Sequence, residues 1–150
     1  HPSWIEDRPA MLETGARILR LLAAAVTSQP LSDRPVHEQL AAAWNVPPEQ
    51  APLIRAALVL SADHEFNASA FAARVVASTG ANLYGSTMAG LVAVNGPRHG
   101  GLTRRVARMM SDFEGVSDLD AALASMAQDG RYSGFGHPLY PDGDIRATAL

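Results

Sequence analysis

Residues 11–27, MLETGARILRLLAAAVT, decide the fold class of this chain. Apolar and small residues recur there at spacings of three and four, which is the period of an α-helix. The charged residues Glu13, Arg17 and Arg20 fall on the other side. The stretch therefore predicts an amphipathic helix, and prolines on both sides bracket it. We expect its buried face to consist of Leu12, Gly15, Ala16, Leu19, Leu22, Ala23 and Val26.

Segments with the same period follow one another along the chain, separated by short breaks rich in proline, glycine and asparagine. Helices are predicted after Asp33, over about 49–60, from Asn67 to Gly80, from Asn82 to about Val94 and from His99-Gly100 to about Phe113. A last helix is predicted from Ser117-Asp118-Leu119-Asp120, which resembles a capping box. The tail from Asp129 to Leu150 contains several glycines and prolines, so we expect a loop with a helix only at its end. No segment alternates with period two over any length, and the prediction is an all-α fold.

Composition and charge exclude several classes of protein. Hydrophobic residues make up 47% of the chain and charged residues 18%, which is enough apolar material for a packed core. The net charge of −3 gives no electrostatic support for nucleic-acid binding. Cysteine is absent, which excludes disulfides and thiolate sites and is compatible with a cytoplasmic protein. No apolar run approaches the roughly 20 residues of a membrane span. We expect neither nucleic acid nor a membrane as a partner.

Three of the five histidines, His64, His99 and His137, lie beside glycine or in breaks between helices. Small neighbours let a ligand approach closely, although a loop histidine can also serve only to hydrogen-bond a carbonyl. The three are 35 and 38 positions apart and form no compact ligand spacing, so we predict no metal site. The chain also lacks a Gly-x-Ser-x-Gly elbow and a P-loop, which argues against a serine triad and a phosphate cradle.

Three motifs carry a resemblance to a known family. Residues 61–79, SADHEFNASAFAARVVAST, resemble the signature of bacterial citrate synthases. The segment GPRHGG at 96–101 is similar to the next motif of that family. The segment GFGH at 134–137, followed by Tyr140 and by DIRA at 144–147, resembles the third motif of the family. Because all three occur in the family's order and near its spacings, the chain resembles a bacterial citrate or 2-methylcitrate synthase.

The resemblance implies an acyltransferase that condenses acetyl-CoA or propionyl-CoA with oxaloacetate, giving citrate or methylcitrate. No bound cofactor is implied, since the coenzyme A thioester is a co-substrate. By resemblance, His99 hydrogen-bonds the thioester carbonyl oxygen as the enol forms, and His137 polarises the ketone of oxaloacetate. Arg146 pairs with a carboxylate of oxaloacetate, a role that suits its planar fork, and His64 is another oxaloacetate ligand. The backbone of Gly134-Phe135-Gly136 approaches the adenine of coenzyme A.

Domain organisation and assembly are also implied by the resemblance. Residues 1–98 would be part of a large helical domain, and residues 99–150 would begin a smaller domain on the coenzyme A side. His99 would then lie near the hinge, where closure brings the oxaloacetate histidines together and expels water. The family is dimeric, and the small-residue-rich helices predicted at 67–79 and 82–94 are our candidates for a homodimer interface. Their alanines could equally pack within one chain.

The chain also departs from the family pattern. Leu102-Thr103-Arg104 replaces the usual Ala-Asn-Glu, and Ser61 stands where many members carry a second histidine. The family's general base is an aspartate well beyond the position of His137, so we expect these 150 residues alone to be inactive. Two alternatives to a condensing enzyme stay open. One is a non-catalytic or regulatory homologue that binds a 2-oxo acid, and the other is a CoA-ester lyase.

Overall fold

Helices account for the regular structure of the chain. The computed structural model describes residues 7–63, 65–127, 132, 134–137 and 140–150. Within these ranges it has no β-strand and eight α-helices, which are α1 (Arg8–Thr27), α2 (Val36–Ala43), α3 (Ala51–Leu60), α4 (Ala68–Ser78), α5 (Leu83–Val94), α6 (Thr103–Phe113), α7 (Leu119–Met126) and α8 (Ile145–Ala149). The predicted all-α fold is confirmed. None of the helices in the described ranges is long and apolar enough to cross a membrane.

Short polar side chains fix where several helices begin. Each accepts a hydrogen bond from a backbone N–H three residues later, which satisfies a donor that the first helical turn leaves unpaired. The pairs are Asp7 with Ala10 at 3.3 Å, Asn67 with Ala70 at 2.9 Å, Asn82 with Gly85 at 2.9 Å, and Asp118 with Ala121 at 2.9 Å. Such caps are worth about 1 kcal/mol each. The predicted starts after Asn67 and Asn82 are confirmed, while the last predicted helix is capped by Asp118, one residue after the Ser117 that its capping box indicated.

The buried stripe of α1 differs from the predicted one. The residues that α1 buries are Ile18, Ala23 and Thr27. The Thr27 hydroxyl donates to the Ala23 carbonyl oxygen at 2.8 Å, so its burial leaves no unsatisfied group. By contrast, the exposed fractions are 62% for Leu12, 61% for Leu19 and 62% for Val26. The predicted burial of Ala23 is confirmed, whereas the prediction for Leu12, Leu19 and Val26 was wrong, because α1 carries apolar residues around most of its circumference and packing against α2 selects one stripe among them.

Internal contacts divide the chain into two compact units. The first runs up to Leu91 and takes in Leu150, and the second is Val92–Ala149. In the first unit α2 packs against both α1 and α3, and its Leu40 and Ala41 are buried. In the second unit Met109 of α6 is buried. The assignment of residues 1–98 to a large domain and 99–150 to a small one stays a prediction.

Candidate functional site

Four side chains of the tail form a contiguous group in the second unit. They are His137, Tyr140, Asp144 and Arg146, which we call the tail cluster. The ring centroids of His137 and Tyr140 are 5.4 Å apart, with an angle of 43° between the ring planes. The guanidinium carbon of Arg146 lies over the Tyr140 ring, 5.1 Å from its centroid. The structure thus brings together two of the predicted site residues, His137 and Arg146, through a ring that both contact.

Asp144 holds the guanidinium of Arg146 by two parallel hydrogen bonds. Arg146 Nε donates to Asp144 Oδ1 at 2.9 Å, and Arg146 Nη2 donates to Asp144 Oδ2 at 2.6 Å. The backbone N–H of Arg146 also donates to Asp144 Oδ1, at 2.9 Å, because Asp144 immediately precedes α8. The side chains are 29% and 32% exposed, so water reaches the pair only in part. This bidentate geometry fixes the plane of the guanidinium as well as its position.

The same contacts lower the pKa of Asp144. The hydrogen bond from the Arg146 side chain is the largest cause, and the backbone N–H of Arg146 is the next. The charge of Arg146 and the imidazole of His137 add smaller effects in the same direction, while partial burial opposes them. Together they take the pKa of Asp144 from its ordinary value of 3.8 to about 2. Asp144 is therefore ionised at neutral pH and remains a hydrogen-bond acceptor for Arg146.

We expect the ion pair of the tail cluster to break only in strong acid. Because the folded-state pKa of Asp144 is lowered, its contribution to the free energy of unfolding is complete above pH 3.8 and disappears as the pH falls through about 2. An NMR titration of the Asp144 carboxyl carbon should give a midpoint near 2, and Arg146→Leu should return that midpoint towards 3.8. An ordinary midpoint in the unaltered protein would contradict the pairing.

The glycine loop before His137 packs against α6. Gly134 and Gly136 have φ values of +87° and +78°, which favour glycine because other residues are strained there. A Cβ on Gly134 would overlap the side chain of Val106 on α6, so the loop backbone lies directly on that helix. Between the glycines, Phe135 is 68% exposed, and its ring meets that of Tyr132 edge to face. The loop offers accessible backbone and an aromatic face, and its predicted role in binding adenine stays a prediction.

His99 is held where the chain folds back onto the end of α5. A Cβ on Gly100 would lie 2.6 Å from the carbonyl oxygen of Val94, and one on Gly101 would lie 2.7 Å from that of Gly96. Only glycine allows such close approach at both positions. The backbone N–H of His99 donates to the Gly96 carbonyl at 3.0 Å, and the His99 side chain is half-buried. The Gly-Gly pair therefore lets the backbone that follows His99 pack closely against the residues at the end of α5 and just after it.

The helix after His99 begins later than predicted. A 3-10 turn covers Gly100–Leu102, and α6 starts at Thr103. The turn is closed by the Leu102 N–H, which donates to the His99 carbonyl at 3.0 Å, and by the Thr103 hydroxyl, which donates to the Gly100 carbonyl at 2.8 Å. The tight contacts of the two glycines with the end of α5 accompany this turn. The predicted end at Phe113 is confirmed.

His64, the other predicted oxaloacetate ligand, lies outside the described residues. Of its neighbours, Glu65 has a φ of +47°, and the Glu65 N–H donates to Asp63 Oδ1 at 3.0 Å. The convergence of His64, His99 and His137 on one substrate stays a prediction. Across the ranges that the structure covers, no three His, Cys, Asp or Glu side chains are grouped closely enough to hold a metal ion.

Sequence reasoning assigned no role to two members of the tail cluster, Tyr140 and Asp144. A signal for Asp144 was present, because an aspartate just before a short helix commonly accepts hydrogen bonds from the first turn. That pattern points to a cap, and the additional clamp on the Arg146 side chain depends on its rotamer. The contact of Tyr140 with both His137 and Arg146 depends on two successive turns, which spacing alone does not specify.

Comparisons with known proteins agree with the resemblance. The family described as "Citrate synthase, C-terminal domain" matches residues 7–150. "Citrate synthase 2" of Bacillus subtilis is 39% identical over 95 residues, covering 63% of this chain and 26% of that protein. "2-methylcitrate synthase" of Shewanella oneidensis is 35% identical over 94 residues, with coverages of 62% and 25%. "Citrate synthase" of Mycolicibacterium smegmatis is 34% identical over 132 residues, with coverages of 81% and 35%. This chain thus spans between a quarter and about a third of the length of these relatives, and no solved structure matches it.

Proposed function

We propose, because this chain belongs to the citrate synthase family, that the whole protein is a transferase that condenses an acyl-CoA thioester with oxaloacetate. The names of its relatives, citrate synthase and 2-methylcitrate synthase, support this proposal and suggest acetyl-CoA and propionyl-CoA as the thioesters to test. Coenzyme A would enter as part of the substrate and leave as the free thiol, with no resident cofactor. We expect the enzyme to act in the cytoplasm.

The observation that carries the proposal is the pairing of His137 and Arg146 around one aromatic ring. A 2-oxo acid has a carboxylate directly bonded to its ketone carbon, so a site for it needs a carboxylate-binding cation close to a donor for the ketone oxygen. Arg146 offers a planar guanidinium held in one orientation, and His137 offers the N–H of its imidazole. Both side chains contact the ring of Tyr140. The contact of a donor and a cation with one ring supports the proposal that the tail cluster binds oxaloacetate.

The chemistry that these residues would perform is stabilisation of negative charge on two oxygens. The imidazole of His99 would donate a hydrogen bond to the thioester carbonyl oxygen as a carboxylate base removes the α-proton and the enol forms. The enol carbon then attacks the ketone of oxaloacetate, and His137 would donate to the oxygen that becomes an alkoxide. A donor placed where charge develops accelerates such a step because it needs no reorganisation during the reaction. Hydrolysis of the thioester product then releases coenzyme A.

The test is an assay of the full-length protein for release of free thiol. We expect thiol release that requires both oxaloacetate and either acetyl-CoA or propionyl-CoA, and the ratio of the two kcat/KM values names the acyl group. Binding of oxaloacetate without thiol release from either thioester would contradict the proposal and favour a regulatory homologue. Cleavage of a citrate–CoA ester without net condensation would instead favour a lyase.

We also propose that the protein is a homodimer, with α4 and α5 in the interface. These helices leave large apolar side chains exposed, at 50% for Phe71, 47% for Val75, 61% for Met88 and 41% for Leu91. Within α4 no residue is buried, and within α5 only Ser86 is. Apolar side chains exposed on adjoining elements are a common feature of surfaces that bind another protein. A second copy of the same helices would cover them in a symmetric interface.

Placing a charge in this interface should separate the subunits. Met88→Glu would bury an unpaired carboxylate in the dimer, at a cost of about 3 kcal/mol or more, which raises the dissociation constant by about a hundredfold. Analytical ultracentrifugation of the full-length protein measures this directly. Gln50→Glu adds the same charge at an exposed position before α3 and should leave the dimer intact. If the Met88→Glu protein stays dimeric, the proposal that α5 lies in the interface is wrong.

A further inference from the structure

Tyr140 occupies a central position in the tail cluster, and neither its family motif nor the proposed chemistry gives it a task. Its ring contacts the imidazole of His137, at 5.4 Å between centroids, and the guanidinium of Arg146, at 5.1 Å from the centroid. The residue is half-buried, whereas His137 is exposed. A ring shared by two groups couples their positions, because neither can move far without losing its contact.

The backbone places this ring by two successive turns. The Tyr140 N–H donates to the His137 carbonyl at 3.0 Å, and the Gly143 N–H donates to the Tyr140 carbonyl at 3.2 Å. Gly143 has a φ of +114°, a conformation that only glycine adopts readily. The chain therefore turns at Tyr140 and turns again before α8, which brings Arg146 back over the ring.

Arg146 is fixed from two directions. Asp144 binds one edge of its guanidinium, through Nε and Nη2, and so sets the plane in which the group lies. Tyr140 lies against the guanidinium at cation–π distance and so limits movement out of that position. A long arginine side chain held in this way loses less conformational freedom when it binds a carboxylate, which is the advantage of preorganisation.

His137 has support on one side from the same ring. Its imidazole is inclined at 43° to the Tyr140 ring, and the two residues are joined by the hydrogen bond of the turn. These contacts involve the ring of Tyr140 and its backbone. Phenylalanine should therefore preserve them, while an aliphatic residue of similar volume should not.

We propose that Tyr140 is a positioning residue that sets the distance between His137 and Arg146, an inference that rests on the proposed function of this site. The ring spaces the donor for the ketone oxygen from the cation for the adjacent carboxylate. Oxaloacetate presents these two groups at a separation that its covalent structure fixes. A displacement of about 1 Å at such a site can cost about a hundredfold in rate.

The experiment compares three variants of the full-length protein: Tyr140→Leu, Tyr140→Phe and, as a matched control, Tyr132→Leu. Tyr140→Leu should lower kcat/KM for oxaloacetate by about 30- to 100-fold and leave KM for the acyl-CoA within about threefold. Tyr140→Phe should keep kcat/KM for oxaloacetate and KM for the acyl-CoA within about threefold of their values in the unaltered protein. Tyr132→Leu removes a ring that contacts Phe135 and should leave KM for oxaloacetate unchanged.

A second measurement separates this inference from the proposed function. Exchange of the Arg146 Nε–H with water, followed by NMR, should be faster in Tyr140→Leu and unchanged in Tyr140→Phe, because the ring limits movement of the guanidinium. If that faster exchange occurs in a protein without condensing activity, the proposed function fails and the positioning role stands. If the unaltered protein condenses its substrates and Tyr140→Leu does so equally well, the positioning role fails alone. The positioning role would also be wrong if Tyr140→Leu weakened binding of both substrates equally and lowered the melting temperature, and if Tyr140→Phe did not restore either property.

Discussion

Replacing His99 with alanine should lower kcat for thiol release by about 100- to 1,000-fold while changing KM for oxaloacetate little. In the proposed reaction His99 donates to the thioester oxygen only as the enol forms, so its removal affects the transition state far more than the bound substrates. The two glycines after His99 approach backbone carbonyl oxygens closely, so the backbone at this position is tightly constrained. Steady-state kinetics of the full-length protein measures the effect.

Two further variants show whether the effect belongs to a hydrogen bond at that position. His99→Gln keeps an N–H donor on a side chain of similar length and should recover part of the lost rate. His37→Ala removes another imidazole, from α2, which has no part in the proposed chemistry, so its kcat should stay within about twofold of that of the unaltered protein. An unchanged kcat in the His99→Ala protein would contradict a role for His99 in the reaction.

Arg146→Leu should raise KM for oxaloacetate by about a hundredfold or more. In the proposed closed complex, from which water is expelled, removing the charged hydrogen-bonding partner of a substrate carboxylate costs about 2–5 kcal/mol, and each 1.4 kcal/mol is a factor of ten. The substitution has a second effect, because Asp144 loses the guanidinium that binds both its oxygens. An unpaired carboxylate would then face the carboxylates of the substrate and repel them. KM for the acyl-CoA should change little.

Control variants distinguish charge from geometry at this position. Arg146→Lys keeps the charge and loses the planar guanidinium. Its KM for oxaloacetate should therefore lie between that of the unaltered protein and that of Arg146→Leu. Asp144→Asn keeps the arginine but weakens the clamp on its plane, and it should raise KM for oxaloacetate less than Arg146→Leu does. Arg55→Leu removes an exposed arginine from α3 and should leave both KM values unchanged. Equal KM values for Arg146→Leu and Arg55→Leu would contradict a role for Arg146 in binding oxaloacetate.

Local chemistry explains why the helices could be predicted from the sequence. Asn67, Asn82 and Asp118 cap their helices with side-chain oxygens three residues from the donors, and that relation is fully contained in a few consecutive residues. The start of α6 was predicted too early because the Gly-Gly pair makes close contacts with the end of α5. Those contacts involve Val94 at the end of α5 and Gly96 just after it, and the pattern after His99 does not reveal them.

The sequence by itself determined the helical class, the order of the helices and the family, because periodicity, caps and three ordered motifs are properties of short segments. Tertiary structure decided which stripe of α1 is buried, since Ile18 and Leu19 are equally apolar and only the partner helix distinguishes them. It also decided that Tyr140 lies between His137 and Arg146 and that Asp144 clamps the guanidinium. These contacts depend on the directions of two turns and on side-chain rotamers, and such directions become fixed only when the chain is folded.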